Sequence, residues 1–353
     1  MSDEAEPFHR CLYHLRFWIP GSAARPRDDA EGGTRLRANP ARSGRVMLNL
    51  FLIQALNGVQ LGILLFLVAA GLTLIFGVMD LINLAHGALY MIGAYLAATF
   101  TAATGSFGLG LLLALPATLA FGLALEFLVV RHLYGRDHLD QVLATFGLIL
   151  ILNEGVRIVW GAAPMSVPVP DALSGSVHLV GTLHYPLYRV AIIAAGLATA
   201  LGLHLLVNHT RLGMRLRAGA SNGPMVAALG IDIRRLFLVV FGLGAMLAGF
   251  AGAMVAPILS VDPGMGDSVL ILTFVVIVIG GVGSVRGAFV AGLLVGLADQ
   301  LGRTFGPILL RSVMDASAAS QTGRTLAPML IYILMAAVLF FRPSGLFPAR
   351  GSR

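Results

Sequence analysis

The sequence contains no lysine: all 24 of its basic residues are arginine. A Walker A loop requires G-x-x-x-x-G-K-[ST], so this chain carries none, and any ATP it uses is bound by another chain. Cysteine is almost as scarce. The single Cys11 allows no internal disulfide and has no companion ligands for a metal site. His86, His204 and His209 are scattered, and nothing resembles H-E-x-x-H. Charge is short as well, at 12% of 353 residues, against roughly 25% in a water-soluble domain. That is too little to cover a surface facing water.

What is present is apolar. Hydrophobic residues make up 57% of the chain, and runs long enough to cross a bilayer recur from residue 48 to residue 341. The expected fold class is all-α, a polytopic helical membrane protein of about eight to ten spans. A transmembrane barrel would show short alternating segments instead. Candidate spans fall at 48–79, 85–103, 107–130, 141–160, 188–208, 236–258, 269–281, 285–302 and 327–341. The first is long enough for one tilted helix or two short ones. The segment 269–281 is too short to span comfortably, because a crossing helix needs about 20 residues. The 43 glycines and 16 prolines suit a close-packed, irregular bundle.

Residues 1–46 differ, mixing charge, proline and glycine, without the apolar core of a signal peptide. They are expected to be a disordered tail, or to precede a true start at Met47. Loop charge sets the orientation. His209–Arg235 holds Arg211, Arg215, Arg217, Arg234 and Arg235 against one acid, whereas Gly161–Leu187 holds no arginine. The first loop is expected in the cytoplasm and the second outside. Arg131, Arg136 and the tail after Phe341 fall on the cytoplasmic side. A single first span would put the arginine-rich amino-terminal stretch outside, which the charge rule disfavours.

Several segments carry candidate function. TRLGMRLRAGASNGPMVAALGID (210–232) begins basic and continues small and helical, with Met225, Ala228 and Leu229 as a short apolar face. It reads either as an ordinary positive-inside loop or as a helix lying across the inner surface to dock a partner, with Asn222 available to cap it. GGVGSVRGAFVAGLLVGLAD (280–299) places Arg286 where a dinucleotide loop needs its third glycine. A tight turn between membrane segments explains it better, with Gly287, Gly292 and Gly296 giving close helix contacts. Asn83 and His86, in LINLAHGALYMIGAY, lie three apart and share a face if the region is helical. They should face protein or a water-filled path, and so should Glu126 and Glu154. Glu154 also has Arg157 three residues on, which allows a local ion pair. Asp80 sits at a span edge, where it is solvated.

Together, residues 57–95, 210–232, 280–299 and the ending RPSGLF (342–347) resemble the membrane permease of branched-chain amino acid ABC importers. The resemblance covers nearly all of 50–347. It implies a permease domain over 47–347 in a bacterial inner membrane, with a second permease subunit, two cytoplasmic ATPases, an external solute-binding protein and a small polar solute. It implies no catalytic role and no cofactor in this chain, with lipid around it and no nucleic acid. By resemblance, the ATPase-coupling segment comprises Arg211, Gly213, Arg215, Arg217 and Ala218 at its basic start, and Ala228, Gly230, Ile231 and Asp232 at its end. The block around Asn83, His86 and Gly87 matches a membrane signature, with no solute contact assigned. Departures occur at Ser221–Pro224, where the family often carries an acid, in the long amino-terminal stretch, and over 161–187. Amide and urea importer permeases are similar enough to leave the solute open. A secondary transporter, a membrane enzyme and a purely structural subunit are the rival classes.

Overall fold

The computed structural model describes residues 40–178, 184–312 and 314–347. The tail expected over 1–46 therefore lies outside the described residues as far as residue 39, and residues 40–46 already belong to the first helix. Ten α-helices follow one another: α1 Pro40–Met79, α2 His86–Thr104, α3 Phe107–Leu128, α4 His138–Trp160, α5 Leu187–His209, α6 Arg211–Ala228, α7 Ile233–Val255, α8 Met265–Gly280, α9 Val285–Leu310 and α10 Ala316–Phe341. Eight of them, all but α6 and α8, contain stretches long and apolar enough to cross a membrane, the first from Met47 to Met79. The all-α polytopic class holds. The first span is one helix, so the two-span alternative falls.

α8 has only 16 residues and a length of about 24 Å, short of the roughly 30 Å hydrocarbon core. α10 begins at Ala316, well before the span expected from residue 327. Its first turns (ASAASQTGRT) are small and polar, which lowers apparent hydropathy without breaking the helix.

Between α4 and α5 lies the one pair of strands among the described residues. It is a short antiparallel pair, β1 Ser176–His178 with β2 His184–Pro186, and the residues joining the two strands fall outside the description. Met165 pairs with Val261 in an isolated bridge, tying this segment to the link between α7 and α8. The same end of the bundle holds the early part of α1, since Asn57 Oδ1 accepts hydrogen bonds from Tyr185 Oη at 3.1 Å and Arg189 Nη1 at 2.6 Å.

Glycine builds the centre. A Cβ on Gly93 of α2 would lie 2.2 Å from Gly249 Cα of α7, and one on Gly252 would lie 2.0 Å from the Tyr90 carbonyl oxygen. Neither site has room for any side chain. Close backbone approach is how helices gain packing in lipid, where burial of apolar surface gives no net drive. The expected turn at 280–287 is present: Ser284 Oγ accepts from Gly287 N at 3.1 Å to cap α9. Gly292 and Gly296 then bring α9 against Gly62 and Gly58 of α1.

Candidate functional site

α6 runs between the end of α5 and the start of α7, and its termini are fixed by local chemistry. Thr210 caps it, accepting from Gly213 N at 3.0 Å while donating to Leu206 O at 2.6 Å. A Cβ on Gly213 would sit 2.2 Å from the Val207 carbonyl oxygen, so only glycine lets α6 leave α5 at this angle. Arg217 Nη1 donates to the same carbonyl, satisfying an orphan group at the end of α5. At Asn222 the backbone leaves helical geometry, and Asn222 Oδ1 accepts from Met225 N at 3.0 Å. Asn222 thus caps the second half of a kinked helix, with Pro224 in its first turn, where a missing N–H costs least.

The far end of α6 is a helix stop followed by a helix start. Gly230 takes φ +83°. Its N–H donates to Ala227 O at 3.0 Å, and Ile231 N donates to Val226 O at 3.3 Å. This paired arrangement is the Schellman motif, and it favours glycine at the left-handed position. Asp232 then caps α7, accepting from Arg235 N at 3.1 Å and pairing with Arg235 Nε at 3.0 Å. Gly213, Gly230 and Asp232 therefore set the path of the backbone.

The remaining residues of the segment form its outer surface. Leu216, Gly219 and Val226 are buried, whereas Arg211, Arg215, Arg217, Ala218, Ala228 and Asp232 are exposed. Met214, Met225 and Leu229 lie beside them, Leu229 at 75% exposure. A basic face with protruding methionine and leucine is what a partner surface offers. Gly219-Ala220-Ser221-Asn222-Gly223 matches G-x-S-x-G in spacing. Ser221, however, is exposed at the kink of a helix and not on the strand-to-helix turn of a nucleophile elbow.

Beside α6 lies a cavity of about 1200 Å³. Its wall includes Phe76 and Asp80 at the end of α1, Asn208 of α5, Arg217 and Ser221 of α6, and Arg286 at the start of α9. Leu346 and Phe347 of the RPSGLF ending also reach it. Their backbone N–H groups donate to Ile279 O at 2.8 Å and Gly280 O at 3.0 Å, satisfying carbonyls that the end of α8 leaves unpaired. Asp80 is exposed here, as expected of a span edge. It is also the one non-glycine residue with positive φ (51°) among the described residues.

Asn83 and His86 are both fully buried. Asn83 precedes α2 and is not helical, so the two do not share a helix face. Its Oδ1 instead accepts from Ala85 N at 3.1 Å. His86 Nε2 lies 3.1 Å from the carbonyl oxygen of Val68, roughly three helical turns before Met79. The link from Asp80 to Ala85 therefore climbs back along α1 rather than closing a tight turn.

Glu154 is not buried. It is 63% exposed and pairs with Arg157 at 2.9 Å. The local ion pair on this exposed face of α4 accounts for it. Of these two glutamates Glu126 is the buried one, with Arg131 3.6 Å away and the Tyr134 hydroxyl donating to it. Burial first, and the bond to Glu126 second, push the Tyr134 pKa up, which favours the donor form of this hydroxyl. Gln141 and Thr145 of α4 are buried polar residues that sequence reasoning missed. Their i,i+4 spacing, which puts both on one face of the helix, was the available signal.

The family model for the permease component of branched-chain amino acid transport systems matches residues 54–341. The high-affinity branched-chain amino acid permease BraD of Pseudomonas aeruginosa is 29% identical over 309 residues, covering 84% of this chain and 95% of its own length. LivH of Escherichia coli is 28% identical over 275 residues, 72% of this chain and 87% of its own. LivM of Escherichia coli is also 28% identical, over 305 residues, 79% of this chain and 66% of its own. No solved structure matches the chain. With most of its membrane region matched, the chain belongs to the branched-chain amino acid transport permease family, a transport component and not an enzyme.

Proposed function

We propose that this chain forms, with a second permease subunit, the translocation pathway of an importer for leucine, isoleucine and valine in a bacterial inner membrane. Two cytoplasmic ATPases drive it and an external binding protein delivers the solute. The observation that carries this reading is α6. It is a capped, kinked helix held rigidly at the corner between α5 and α7, with its basic and apolar face left outward. Such an element converts the closing of a partner into movement of the two membrane helices it joins.

Sidedness supports the same reading. The arginine-rich α6, the Arg131–Arg136 turn and the cavity gather at one end of the bundle, while the arginine-free 161–178 segment packs at the other. The cavity is the inner mouth of the pathway, and a packing change between helices opens the outer side in turn. The bundle needs no catalytic group for this, and the binding protein selects the solute first.

The test is purification of the chain co-expressed with its neighbouring genes, followed by mass spectrometry and leucine uptake in liposomes. Recovery of ATPase subunits with ATP-dependent uptake supports the importer. Uptake by the chain alone without ATP replaces it with a secondary transporter. Arg215→Glu is the sharper variant, because Arg217 also caps α5 and Arg215 makes no such bond. It should abolish uptake and ATPase recovery while leaving membrane insertion intact.

A further inference from the structure

The link Asp80–Ala85 is non-helical backbone inside an apolar bundle, with Leu81, Asn83 and Ala85 buried. Such backbone is tolerated at membrane depth only where protein satisfies its polar groups. Two side chains of α4 do so. Gln141 Oε1 accepts from Ile82 N and Thr145 Oγ1 accepts from Leu84 N, each at 3.2 Å. Gln141 does more than cap. Its Nε2 donates to Arg136 O at 3.1 Å and to Leu133 O at 3.4 Å, so one amide joins the buried link to the turn between α3 and α4.

That turn is itself connected to α6. Tyr134 packs edge-on against Phe237 of α7, ring centroids 5.0 Å apart. Phe237 lies in the turn after Asp232, which caps α7 directly beyond α6. Contacts and adjoining backbone therefore connect the α6–α7 corner, through Tyr134 and its neighbour Leu133, to Gln141 and on to the link. His138 Nδ1 lies 3.4 Å from the same oxygen that holds Ile82, within reach of its second lone pair. An unwound link held by directional side-chain bonds suits an element with two arrangements.

We propose that Gln141 and Thr145 are positioning residues of the transport step, holding the Asp80–Ala85 link in register with the α3–α4 turn so that motion received at α6 moves α1 and α2. This rests on α6 being the ATPase contact. The experiment uses the assembled complex in liposomes with its binding protein, and reads leucine imported per ATP hydrolysed. Thr145→Val keeps the shape and removes the hydroxyl, while Thr145→Ser keeps the hydroxyl. Thr145→Val and Gln141→Leu should each lower leucine imported per ATP by about tenfold, the factor one buried hydrogen bond is worth. The KM for leucine and the ATP hydrolysis stimulated by binding protein should stay unchanged, and Thr145→Ser should match the parent.

An unaltered import-to-ATP ratio in Thr145→Val overturns the proposal. So does a fall in uptake and hydrolysis together that only tracks the amount of complex. If Gln141→Leu yields no complex, the Thr145 pair decides alone. Absence of any ATPase from the parent preparation overturns the importer reading itself and this inference with it.

Discussion

Helices α7 and α10 are similar in length, 23 and 26 residues, and both are apolar enough to span. In an apolar 18-residue stretch of each, 67% of the residues are buried inside the chain in α7 and only 11% in α10. Hydropathy does not separate them. Glycine does: α7 carries Gly242, Gly244, Gly249 and Gly252 along its length, whereas Gly323 is the one glycine of α10. In lipid a helix goes to the centre when its backbone can be approached, not when its side chains are greasier. The outer half of α10 presents Ile333, Phe340 and Phe341 outward, to lipid or to another chain.

Substitutions can break this contrast. The largest effect is expected at Gly252→Val, whose side chain would fall on the Tyr90 carbonyl. Overpacking a core costs about 1–3 kcal/mol and more against backbone, so size-exclusion chromatography in mild detergent should find no folded protein. A normal peak would mean that the inner pair is not set by close approach. Next comes Tyr134→Phe, which removes the donor from buried Glu126. Loss of a bond to a charged group costs about 1.5–3 kcal/mol, and the unfolding temperature of the purified protein should drop by several degrees. No drop would show that Glu126 is satisfied by other means.

Gly230→Ala should follow, because a left-handed residue with a side chain costs about 1–2 kcal/mol. Native-state hydrogen exchange should then speed up in α6 while α2 and α7 stay protected, and uniform exchange would count against α6 as a separately held element. The smallest effect belongs to Phe340→Ala on α10. Away from buried features, changes stay within about 0.5 kcal/mol. A thermal shift as large as that of Tyr134→Phe would place α10 inside the chain's own core.

Much of this was legible beforehand. The turn at 280–287 and the cap at Asn222 depend on neighbours close in sequence, and each is where local chemistry puts it; the α9 glycines showed that a close contact was due, but not that Gly58 and Gly62 of α1 would make it. Gln141 and Thr145 were not legible, because the N–H groups they serve belong to a link far away in the chain. Glu154 was read as a possible interior group and is exposed, since the sequence does not say which face of α4 is covered. The climb of Asp80–Ala85 along α1 was hidden for the same reason. The break between residues 79 and 85 was legible, but nothing local to Leu81–Ala85 announces that it stays buried.

The hydrogen bonds from Leu346 and Phe347 to the end of α8 bear on synthesis. Two helices of 26 residues each, α9 and α10, lie between donor and acceptor. At about 5–20 residues per second, the ribosome needs several seconds to make them. During that interval the last carbonyls of a short membrane helix are without their eventual partners. A nascent chain stopped within α10 thus leaves the end of α8 without the backbone donors that satisfy it in the finished fold, and the RPSGLF ending is the last piece to close that helix.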